Sequence, residues 1–260
     1  MSLAEKVVVI TGGARGIGAA LARRFGQDKP RGLVISDIDL PAAELVALQL
    51  RDAGVRALAV RTDVGVRYDA ERLIATAQRE FGEVDLLCSN AGIATGMGVH
   101  APTSIWNRAW SVNVLAHVHL AHALLPSMSR RRKGHVVITA SAAGLLGLPG
   151  DAPYAATKSA AVAVAEWLAT TYGHLGIKVQ ALCPLGVRTD LLMPSVEAGH
   201  RAARAVTDLD VILEPEEVAD AVAAGLDEDG FFIFPHREVG ALHAAKALNT
   251  DAWIERQSQG

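Results

Sequence analysis

Cysteine and aromatic residues are scarce in this chain of 260 residues. Its two cysteines, Cys88 and Cys183, both lie in apolar stretches. So few cysteines exclude a small disulfide-built fold and favour buried free thiols in a reducing, cytoplasmic setting. Aromatic residues make up only 5% of the chain, yet half of all residues are hydrophobic. The chain can therefore bury a sizeable core, which excludes a disordered protein.

An excess of charge and long apolar runs are also missing. The 25 basic and 28 acidic side chains give a formal net charge of −3, which argues against a dedicated nucleic-acid-binding protein. No run approaches the ~18 apolar residues of a membrane span. The apolar run from Val7 to Ile10 is too short for the core of a signal peptide. We therefore expect no nucleic-acid partner and no membrane partner.

Short β-branched runs alternate with longer stretches rich in Ala, Leu, Arg and Glu from residue 7 to about residue 235. This alternation predicts a parallel sheet covered by helices on both faces. No linker interrupts it, so we expect an α/β fold: a single Rossmann-type doubly wound domain over residues 1–260, with about seven strands. The predicted strands are Val7–Ile10, Gly32–Ser36, Ala57–Arg61, Val84–Ser89, His135–Thr139, Lys178–Leu182 and Phe231–Phe234. The predicted helices are Gly16–Gly26, Pro41–Ala53, Arg67–Phe81, Ser104–Arg132, Tyr154–Leu175, Glu214–Leu226 and a last one over Val239–Gly260.

Two loops follow strands, Gly144–Pro153 and Pro184–Asp210, and they are expected at the carboxyl edge of the sheet, where such folds bind ligands. Residues of about 185–212 are predicted to cover the substrate. This segment has no obvious charged clamp, which favours an uncharged, partly apolar alcohol such as a cyclic, aromatic or steroid-like one. Seven apolar loop residues are candidates for lining that pocket: Met97, Leu145, Leu146, Leu148, Leu185, Leu192 and Met193.

The first strand runs into a glycine-rich turn, Thr11-Gly12-Gly13-Ala14-Arg15-Gly16-Ile17-Gly18. Glycine permits positive φ angles and lets the backbone approach a pyrophosphate closely. The helix that opens near Gly16 offers unpaired N–H groups and the positive end of its dipole to the same group. A glycine triplet alone is a weak signal, but a position between the first strand and the first helix is the context that the motif requires. The turn predicts a dinucleotide site.

The choice of cofactor depends on charges near the second strand. Asp37, at the end of that strand, is expected to accept hydrogen bonds from the adenosine ribose and to repel a 2′-phosphate; Asp39 could share this role. Arg15 favours the opposite choice, because a guanidinium can pair with a 2′-phosphate. Asp37 would meet the ribose directly, so the sequence favours NAD, with NADP as the less favoured alternative.

Two further turns are expected beside the cofactor. Asp63-Val64 follows the third strand and Asn90-Ala91-Gly92 follows the fourth. Both turns stand at the carboxyl ends of their strands, so they are placed to flank an adenine and a ribose. An Asn-Ala-Gly sequence is otherwise an ordinary turn.

A tyrosine and a lysine predict the chemistry. Tyr154 and Lys158 are four residues apart in a predicted helix and therefore share a face. A free phenol has a pKa of ~10, and a nearby ammonium stabilises the phenolate and lowers that pKa. Tyr154 can then take a proton from an alcohol as its hydride leaves, or return one to a ketone. Lys158 could also hold the nicotinamide ribose, and Ser141, at the end of the fifth strand, could polarise the same carbonyl oxygen.

In this order and spacing, the motifs resemble those of the short-chain dehydrogenase/reductase family from residue 5 to about residue 235. The glycine-rich turn matches the family pattern T-G-x-x-x-G-x-G, and Tyr154 with Lys158 matches Y-x-x-x-K. Asn90 begins the family's N-A-G, and Ser141 precedes the tyrosine by about a dozen residues, as the family serine does. The loop after the sixth strand is similar to P-G-x-V-x-T and reads Cys183-Pro184-Leu185-Gly186-Val187-Arg188-Thr189.

The resemblance implies further roles. The main chain of Val187 and the hydroxyl of Thr189 would hold the nicotinamide amide, with Ile17 packed nearby. Asn113 would hold a water that links Lys158 to bulk solvent. The implied catalytic set is Asn113, Ser141, Tyr154 and Lys158. The expected cofactor-binding set is Gly12, Arg15, Gly16, Ile17, Gly18, Asp37, Asp63, Val64, Asn90, Ala91, Gly92, Tyr154, Lys158, Pro184, Gly186, Val187 and Thr189.

One departure from the family concerns assembly. Family members often end in a Gly-Gly strand end that helps to build a tetramer, whereas this chain has Gly230–His236 and then a further helix. We therefore expect a homodimer through the helices near 104–132 and 154–175, with a homotetramer as the alternative. His117, His119 and His122 lie on the first of these helices, which the family uses at its dimer interface, so we expect no metal site.

The sequence thus predicts an NAD-dependent oxidoreductase that moves a hydride between a secondary alcohol or ketone and a nicotinamide. Two alternatives stay open at this point. One is an NADPH-dependent carbonyl or 3-oxoacyl reductase, which cofactor preference would distinguish. The other is a nucleotide-sensing protein without catalysis. The identity of the substrate and the physiological direction are open as well.

Overall fold

The computed structural model describes residues 2–258, and its centre is a seven-stranded parallel sheet. The strands are β1 (Val7–Thr11), β2 (Gly32–Asp37), β3 (Ala57–Arg61), β4 (Leu86–Ser89), β5 (Gly134–Thr139), β6 (Ile177–Leu182) and β7 (Phe232–Ile233). Their order across the sheet is β3-β2-β1-β4-β5-β6-β7, and every neighbouring pair is parallel. The predicted fold class is confirmed.

Helices cover both faces of this sheet because alternate strand residues point to opposite layers. In β1, Val7 and Val9 pack into one core, whereas Val8 and Ile10 pack into the other. The helices are α1 (Gly16–Gly26), α2 (Leu40–Asp52), α3 (Arg67–Phe81), α4 (Thr103–Trp110), α5 (Ala116–Arg131), α6 (Ala142–Leu146), α7 (Ala152–Tyr172), α8 (Met193–Glu197), α9 (Arg201–Thr207), α10 (Pro215–Gly225), α11 (Glu238–Leu248) and α12 (Thr250–Ser258). A π-helical segment, Ser111–Leu115, joins α4 to α5, and a 3₁₀ turn, Gly173–Leu175, follows α7.

The structure corrects several of the predicted elements. The helix expected over 104–132 is interrupted by the π-helical segment, a feature that often marks functional sites and has no period of its own in the sequence. The two predicted loops contain short helices. The end of α6 lies in the loop Gly144–Pro153, and α8 and α9 lie in the loop Pro184–Asp210. The last predicted helix is divided into α11 and α12 at Asn249, and residues 259–260 lie outside the described part of the chain.

The fold places the turns that follow β1, β4 and β5 at one edge of the sheet. The chain order reverses between β1 and β4, and ligands of open α/β sheets bind at the carboxyl end of such a switch point. The glycine-rich turn, Asn90 and Ser141 all meet there. Among residues 2–258, no helix combines the length and hydrophobicity needed to cross a bilayer.

Candidate active site

A cleft of about 570 Å³ opens at this carboxyl edge, and most of the predicted site residues line it. Those that do are Gly12, Arg15, Gly16, Ile17, Asp37, Asn90, Ala91, Gly92, Ser141, Tyr154, Lys158, Pro184, Val187 and Thr189. An adjoining pocket of about 140 Å³ is lined by Asp63 and Val64. Three predicted residues, Gly18, Asn113 and Gly186, do not line either space.

The glycine-rich turn fits a dinucleotide because its glycines stand where a side chain would clash with the backbone. Gly12 has a φ of +64°, and a Cβ added there would lie 2.9 Å from the Cα of Ala91. A Cβ on Gly18 would lie 2.0 Å from the carbonyl oxygen of Gly12. Gly18 therefore lets α1 pack against the turn. The open backbone cradle that results, at the start of a helix, is suited to a pyrophosphate.

Asp37 is held at the rim of the cleft by two main-chain groups. Its carboxylate accepts hydrogen bonds from the N–H groups of Ala14 and Asp39, each at 3.1 Å. The guanidinium of Arg15 pairs with the carboxylate of Asp39 at 2.5 Å and lies 4.0 Å from Asp190. The positive charge of Arg15 therefore stands among acidic side chains, which weakens its attraction for a phosphate.

Asn90 connects three strand ends. Its Nδ2 donates to the carbonyl oxygen of Thr11 at 3.0 Å, and its Oδ1 accepts from the hydroxyl of Thr139 at 3.1 Å. In the adjoining pocket, Nη1 of Arg108 pairs with Asp63 at 3.0 Å. The side chain of Asn90 thus joins the ends of β1 and β5 to the turn after β4 at the floor of the cleft.

The chemical end of the cleft combines residues from β5, α6 and α7. Lys158 is only 2% exposed, and its Nζ donates to the carbonyl oxygen of Thr139 at 2.8 Å. The same Nζ lies 5.6 Å from the centre of the Tyr154 ring. Ser141 is the N-cap of α6, where its Oγ accepts from the N–H of Ala143 at 3.1 Å. A hydroxyl, a phenol and an ammonium therefore face one cavity.

The acid–base properties differ from the sequence expectation. Burial raises the pKa of Tyr154 above its usual value, although the nearby Ser141 hydroxyl acts in the opposite direction. The direction differs from the predicted lowering of this pKa, because burial makes the largest contribution and disfavours the charged phenolate. Burial also lowers the pKa of Lys158 to about 8, with Cys183 acting in the opposite direction.

Asn113 lies behind the cleft, in the π-helical segment, and is completely buried. Its Oδ1 accepts from the N–H of Ile93, and its Nδ2 donates to the Ile93 carbonyl oxygen, both at 2.9 Å. The Nδ2 also donates to the hydroxyl of Thr157 at 3.0 Å, and that hydroxyl donates to the carbonyl oxygen of Tyr154. Both amide hydrogens are thus used within the protein. The side chain links the π-helical segment to α7 close to the tyrosine.

Sequence reasoning missed Asp151, a buried carboxylate in the cleft wall. Its oxygens accept from the N–H groups of Thr95 and Gly96, each at 2.6 Å, from the Thr95 hydroxyl at 2.7 Å and from the N–H of Tyr154 at 2.9 Å. Asp151 therefore joins the loop after β4 to the start of α7. The signal was present, since an Asp followed by Ala-Pro is typical of a helix N-cap, and α7 begins at Ala152 rather than at Tyr154.

The part of the cleft beyond Tyr154 is mainly apolar. Leu148, Leu185 and Leu192 line it as expected. The other four candidates, Met97, Leu145, Leu146 and Met193, do not line it. Further lining residues on this side are Ala94, Pro149, Leu191, Ala202, Ala203 and Val206. Arg15 and Lys158 are the two basic residues that line the cleft in the described part of the chain.

The histidines of α5 do not converge on one point. Nδ1 of His117 lies 2.6 Å from the hydroxyl of Ser89, whereas Nε2 of His122 lies 2.8 Å from a guanidinium nitrogen of Arg67. Within residues 2–258, no group of three or more potential ligands among His, Cys, Asp and Glu is arranged to hold a metal ion.

Comparison with known proteins identifies the family. The family model described as short chain dehydrogenase matches residues 6–199. The cis-4-hydroxycyclohexanecarboxylate dehydrogenase of Sinomonas cyclohexanicum is 35% identical over 246 residues, which cover 94% of this chain and 96% of that protein.

Two solved structures share the fold over nearly the whole chain. A short chain dehydrogenase/reductase from Burkholderia phymatum in complex with NAD has a TM-score of 0.88 and 28% identity, covering 97% of this chain and 96% of that one. A short-chain dehydrogenase from Sphingobium yanoikuyae in complex with NADPH has a TM-score of 0.80 and 28% identity, covering 96% and 95%. The chain is therefore a member of the short-chain dehydrogenase/reductase family, an oxidoreductase that acts on hydroxyl groups with NAD or NADP.

Proposed function

We propose that the protein is an NAD-dependent dehydrogenase of neutral, cyclic secondary alcohols, with Tyr154 as the general acid and base. One observation carries this proposal. Tyr154, Lys158 and Ser141 face one end of the cleft, whose other end holds Asp37 and the glycine-rich turn. A hydride acceptor bound along this cleft would place its reactive end beside the phenol.

In the proposed reaction, the phenolate form of Tyr154 contacts the hydroxyl group of the substrate and takes its proton as the hydride leaves the carbinol carbon, which turns the phenolate into the neutral hydroxyl. The Ser141 hydroxyl orients the same oxygen, and the ammonium of Lys158 stabilises the phenolate. When bound, NAD supplies the hydride acceptor and the positive charge of its nicotinamide ring. In the reverse direction, Tyr154 returns the proton to the ketone oxygen.

The preference for NAD is supported by the acidic rim of the cleft. Asp37 would face the ribose hydroxyls, and Arg15 is already paired with Asp39. An NADPH-dependent reductase is the second candidate, because the Arg15 side chain is 62% exposed and a guanidinium can pair with a phosphate. One of the two solved relatives is in complex with NAD and the other with NADPH, so the relatives do not decide between the cofactors. The proposal of NAD is therefore supported by the charges around Asp37 in this chain.

The preference for a neutral substrate is supported by the lining of the cleft. The name of the Sinomonas relative describes a substrate with a hydroxyl group and a carboxylate on a cyclohexane ring. Among residues 2–258, Lys158 is the one basic residue that lines the apolar side of the cleft, and Arg15 lies on the cofactor side. A buried carboxylate without a cationic partner is unfavourable. We therefore propose a cyclic alcohol that lacks the acid group.

We also propose a homodimer in the cytoplasm. Trp110, Val118 and Trp167 are large apolar side chains left exposed on α4, α5 and α7, and such surfaces typically mark contacts between proteins. Both cysteines are free and buried, which is consistent with a reducing compartment. Light scattering that gives the mass of one chain would contradict the dimer.

Fluorescence titrations with NADH and NADPH test the proposal first. We expect tighter binding of NADH, followed by oxidation of cyclohexanol-like alcohols with NAD. A matched pair of substrates, cyclohexanol and cis-4-hydroxycyclohexanecarboxylate, then tests the preference for a neutral ring. Tighter binding of NADPH, or faster turnover of the carboxylate, would contradict the corresponding part of the proposal.

A further inference from the structure

We propose that His236 is a positioning residue that fixes the nicotinamide end of the cofactor site. The inference rests on the proposed function, since it assumes that the segment after β6 contacts the nicotinamide. His236 lies three residues after the end of β7 and is 2% exposed. It is neither in the cleft lining nor among the residues that the motifs predicted.

The imidazole of His236 bonds to both ends of the predicted substrate loop. Its Nδ1 accepts a hydrogen bond from the N–H of Leu185 at 3.2 Å. Its Nε2 lies 3.1 Å from the carbonyl oxygen of Gly186 and 3.2 Å from that of Val211. One buried ring thus connects the place where the chain leaves β6 with the place where it returns towards α10.

These partners determine the tautomer. A main-chain N–H can only donate, so Nδ1 must be the acceptor, and the proton is on Nε2, facing the two carbonyl oxygens. All three contacts are therefore compatible with one neutral form of the ring. Both ring nitrogens have hydrogen-bond partners inside the protein, so the orientation of the buried ring is fixed.

The segment that His236 holds continues straight into the proposed nicotinamide contacts. Beside it, the N–H of Leu213 donates to the Gly186 carbonyl oxygen at 3.0 Å, and the N–H of Arg188 donates to the Leu213 carbonyl oxygen at 2.9 Å. Val187 lies between these two bonds and lines the cleft. The position of the Val187 main chain is therefore set by the two hydrogen bonds to Leu213, which flank it, and by the contacts of His236 with the two residues before it.

Gly186 explains why a hydrogen-bonded connector is used at this point. A Cβ on Gly186 would lie 2.9 Å from Cγ1 of Val206, which belongs to α9. The backbone at Gly186 therefore lies too close to α9 for this position to carry a side chain that could hold it in place. His236 instead holds this backbone through its contacts with the N–H of Leu185 and the carbonyl oxygen of Gly186, and Val206 of α9 lines the cleft.

A positioning role at this end of the cleft predicts a selective effect on binding. ADP-ribose contains the adenosine and pyrophosphate of the cofactor but no nicotinamide. Loss of His236 is expected to weaken NADH by about tenfold, since several neutral hydrogen bonds that place Val187 are lost. Binding of ADP-ribose is expected to change by less than about twofold, because the hydrogen bonds of the His236 ring go to Leu185, Gly186 and Val211 and not to Asp37 or the glycine-rich turn.

The experiment measures dissociation constants of NADH and ADP-ribose by calorimetry for wild type and four variants. His236→Ala removes the ring. His236→Asn keeps a group that can accept from Leu185, and His236→Gln keeps a donor near the position of Nε2, so both are expected to fall between wild type and alanine. The matched control is His135→Asn, which alters another buried histidine, one bonded to Gln180 within the sheet.

The outcomes separate this inference from the proposed function. A selective loss of NADH affinity in the His236 variants, absent in His135→Asn, supports the positioning role. Equal weakening of both ligands, no weakening, or the same selective loss in His135→Asn overturns it. If His236→Ala does not fold, the asparagine and glutamine variants decide. If the wild-type protein binds neither ligand, the proposed function itself fails.

Discussion

The Nζ atom of Lys158 lies 5.6 Å from the centre of the Tyr154 ring, and it is held there by a hydrogen bond to the Thr139 carbonyl oxygen. Burial acts on both side chains in the direction that favours the neutral forms: it raises the pKa of Tyr154 and lowers that of Lys158 to about 8. The Ser141 hydroxyl opposes this effect of burial on Tyr154, and we propose that the ammonium of Lys158 also stabilises the phenolate when the proton is transferred.

Replacing Lys158 tests this relationship. In Lys158→Met, the phenolate loses its nearby cation, and an opposite charge at such a distance changes a pKa by about 1–3 units. We expect the pH at which the oxidation rate rises to move upward by a similar amount, together with a large fall in kcat. The measurement is the pH dependence of kcat/KM. An unchanged profile would show that Lys158 does not control the phenol.

Asp37 is predicted to select the cofactor. Asp37→Ala should raise the KM for NAD by about tenfold or more, since hydrogen bonds to a charged group are lost, and should raise the KM for NADP far less. Steady-state kinetics with both cofactors measure this. Equal effects on the two would remove Asp37 from the ribose site.

A companion variant changes the neighbouring pair. In the wild type, Nη2 of Arg15 lies 2.5 Å from Oδ2 of Asp39. Asp39→Ala removes this ion pair and is expected to lower the KM for NADP. An unchanged KM for NADP in this variant would show that Arg15 does not reach the 2′-phosphate.

Asp151 is predicted to hold the cleft wall in place for the substrate. In Asp151→Asn, an NH₂ group replaces one of the oxygens that bond to Thr95, Gly96 and the N–H of Tyr154. We expect a lower Tm and a KM for the alcohol raised by about tenfold, with NADH binding unchanged. The exposed Asp229 provides the control as Asp229→Asn. Normal values of both Tm and KM in Asp151→Asn would contradict this role.

Two buried histidines predict that the protein loses stability in acid. Burial lowers the pKa of His117 to about 3 and that of His135 to about 4. In the unfolded chain these histidines have a pKa of about 6.5, so below that pH the unfolded chain binds protons that the folded chain excludes. The free energy of unfolding therefore decreases as the pH is lowered. The loss per histidine reaches about 1.4 kcal/mol per pH unit and ends near the folded pKa.

Denaturant unfolding at several pH values between 7 and about 4.5 measures this effect. His135→Asn removes one of the two groups and should show a shallower decrease in stability than wild type over the same range. An equally steep decrease in the variant would mean that other groups dominate the acid sensitivity.

Features that depend on local sequence could be predicted well. The glycine-rich turn has a steric requirement that few residues meet, and the first four residues of β1 form an apolar run because both faces of the sheet are covered. Tyr154 and Lys158 share a helix face through their spacing alone. These features gave the fold class and most of the cleft residues.

Features that depend on contacts between distant segments could not be predicted. His236 meets Leu185 across 51 positions, and Asp151 meets Thr95 across 56, so no local pattern relates them. The π-helical segment at Asn113 has no sequence period of its own. The raised pKa of Tyr154 depends on burial, which only the packed cleft reveals.

The most direct test of the account is the rate of NADH formation from NAD and a neutral cyclic secondary alcohol, measured for wild type and for Tyr154→Phe. We predict turnover by wild type and a loss of about 10²–10⁴-fold in kcat for the variant, the range expected when a general acid–base group is removed. NADH binding should be similar in both proteins. Turnover by Tyr154→Phe at the wild-type rate would contradict the central claim.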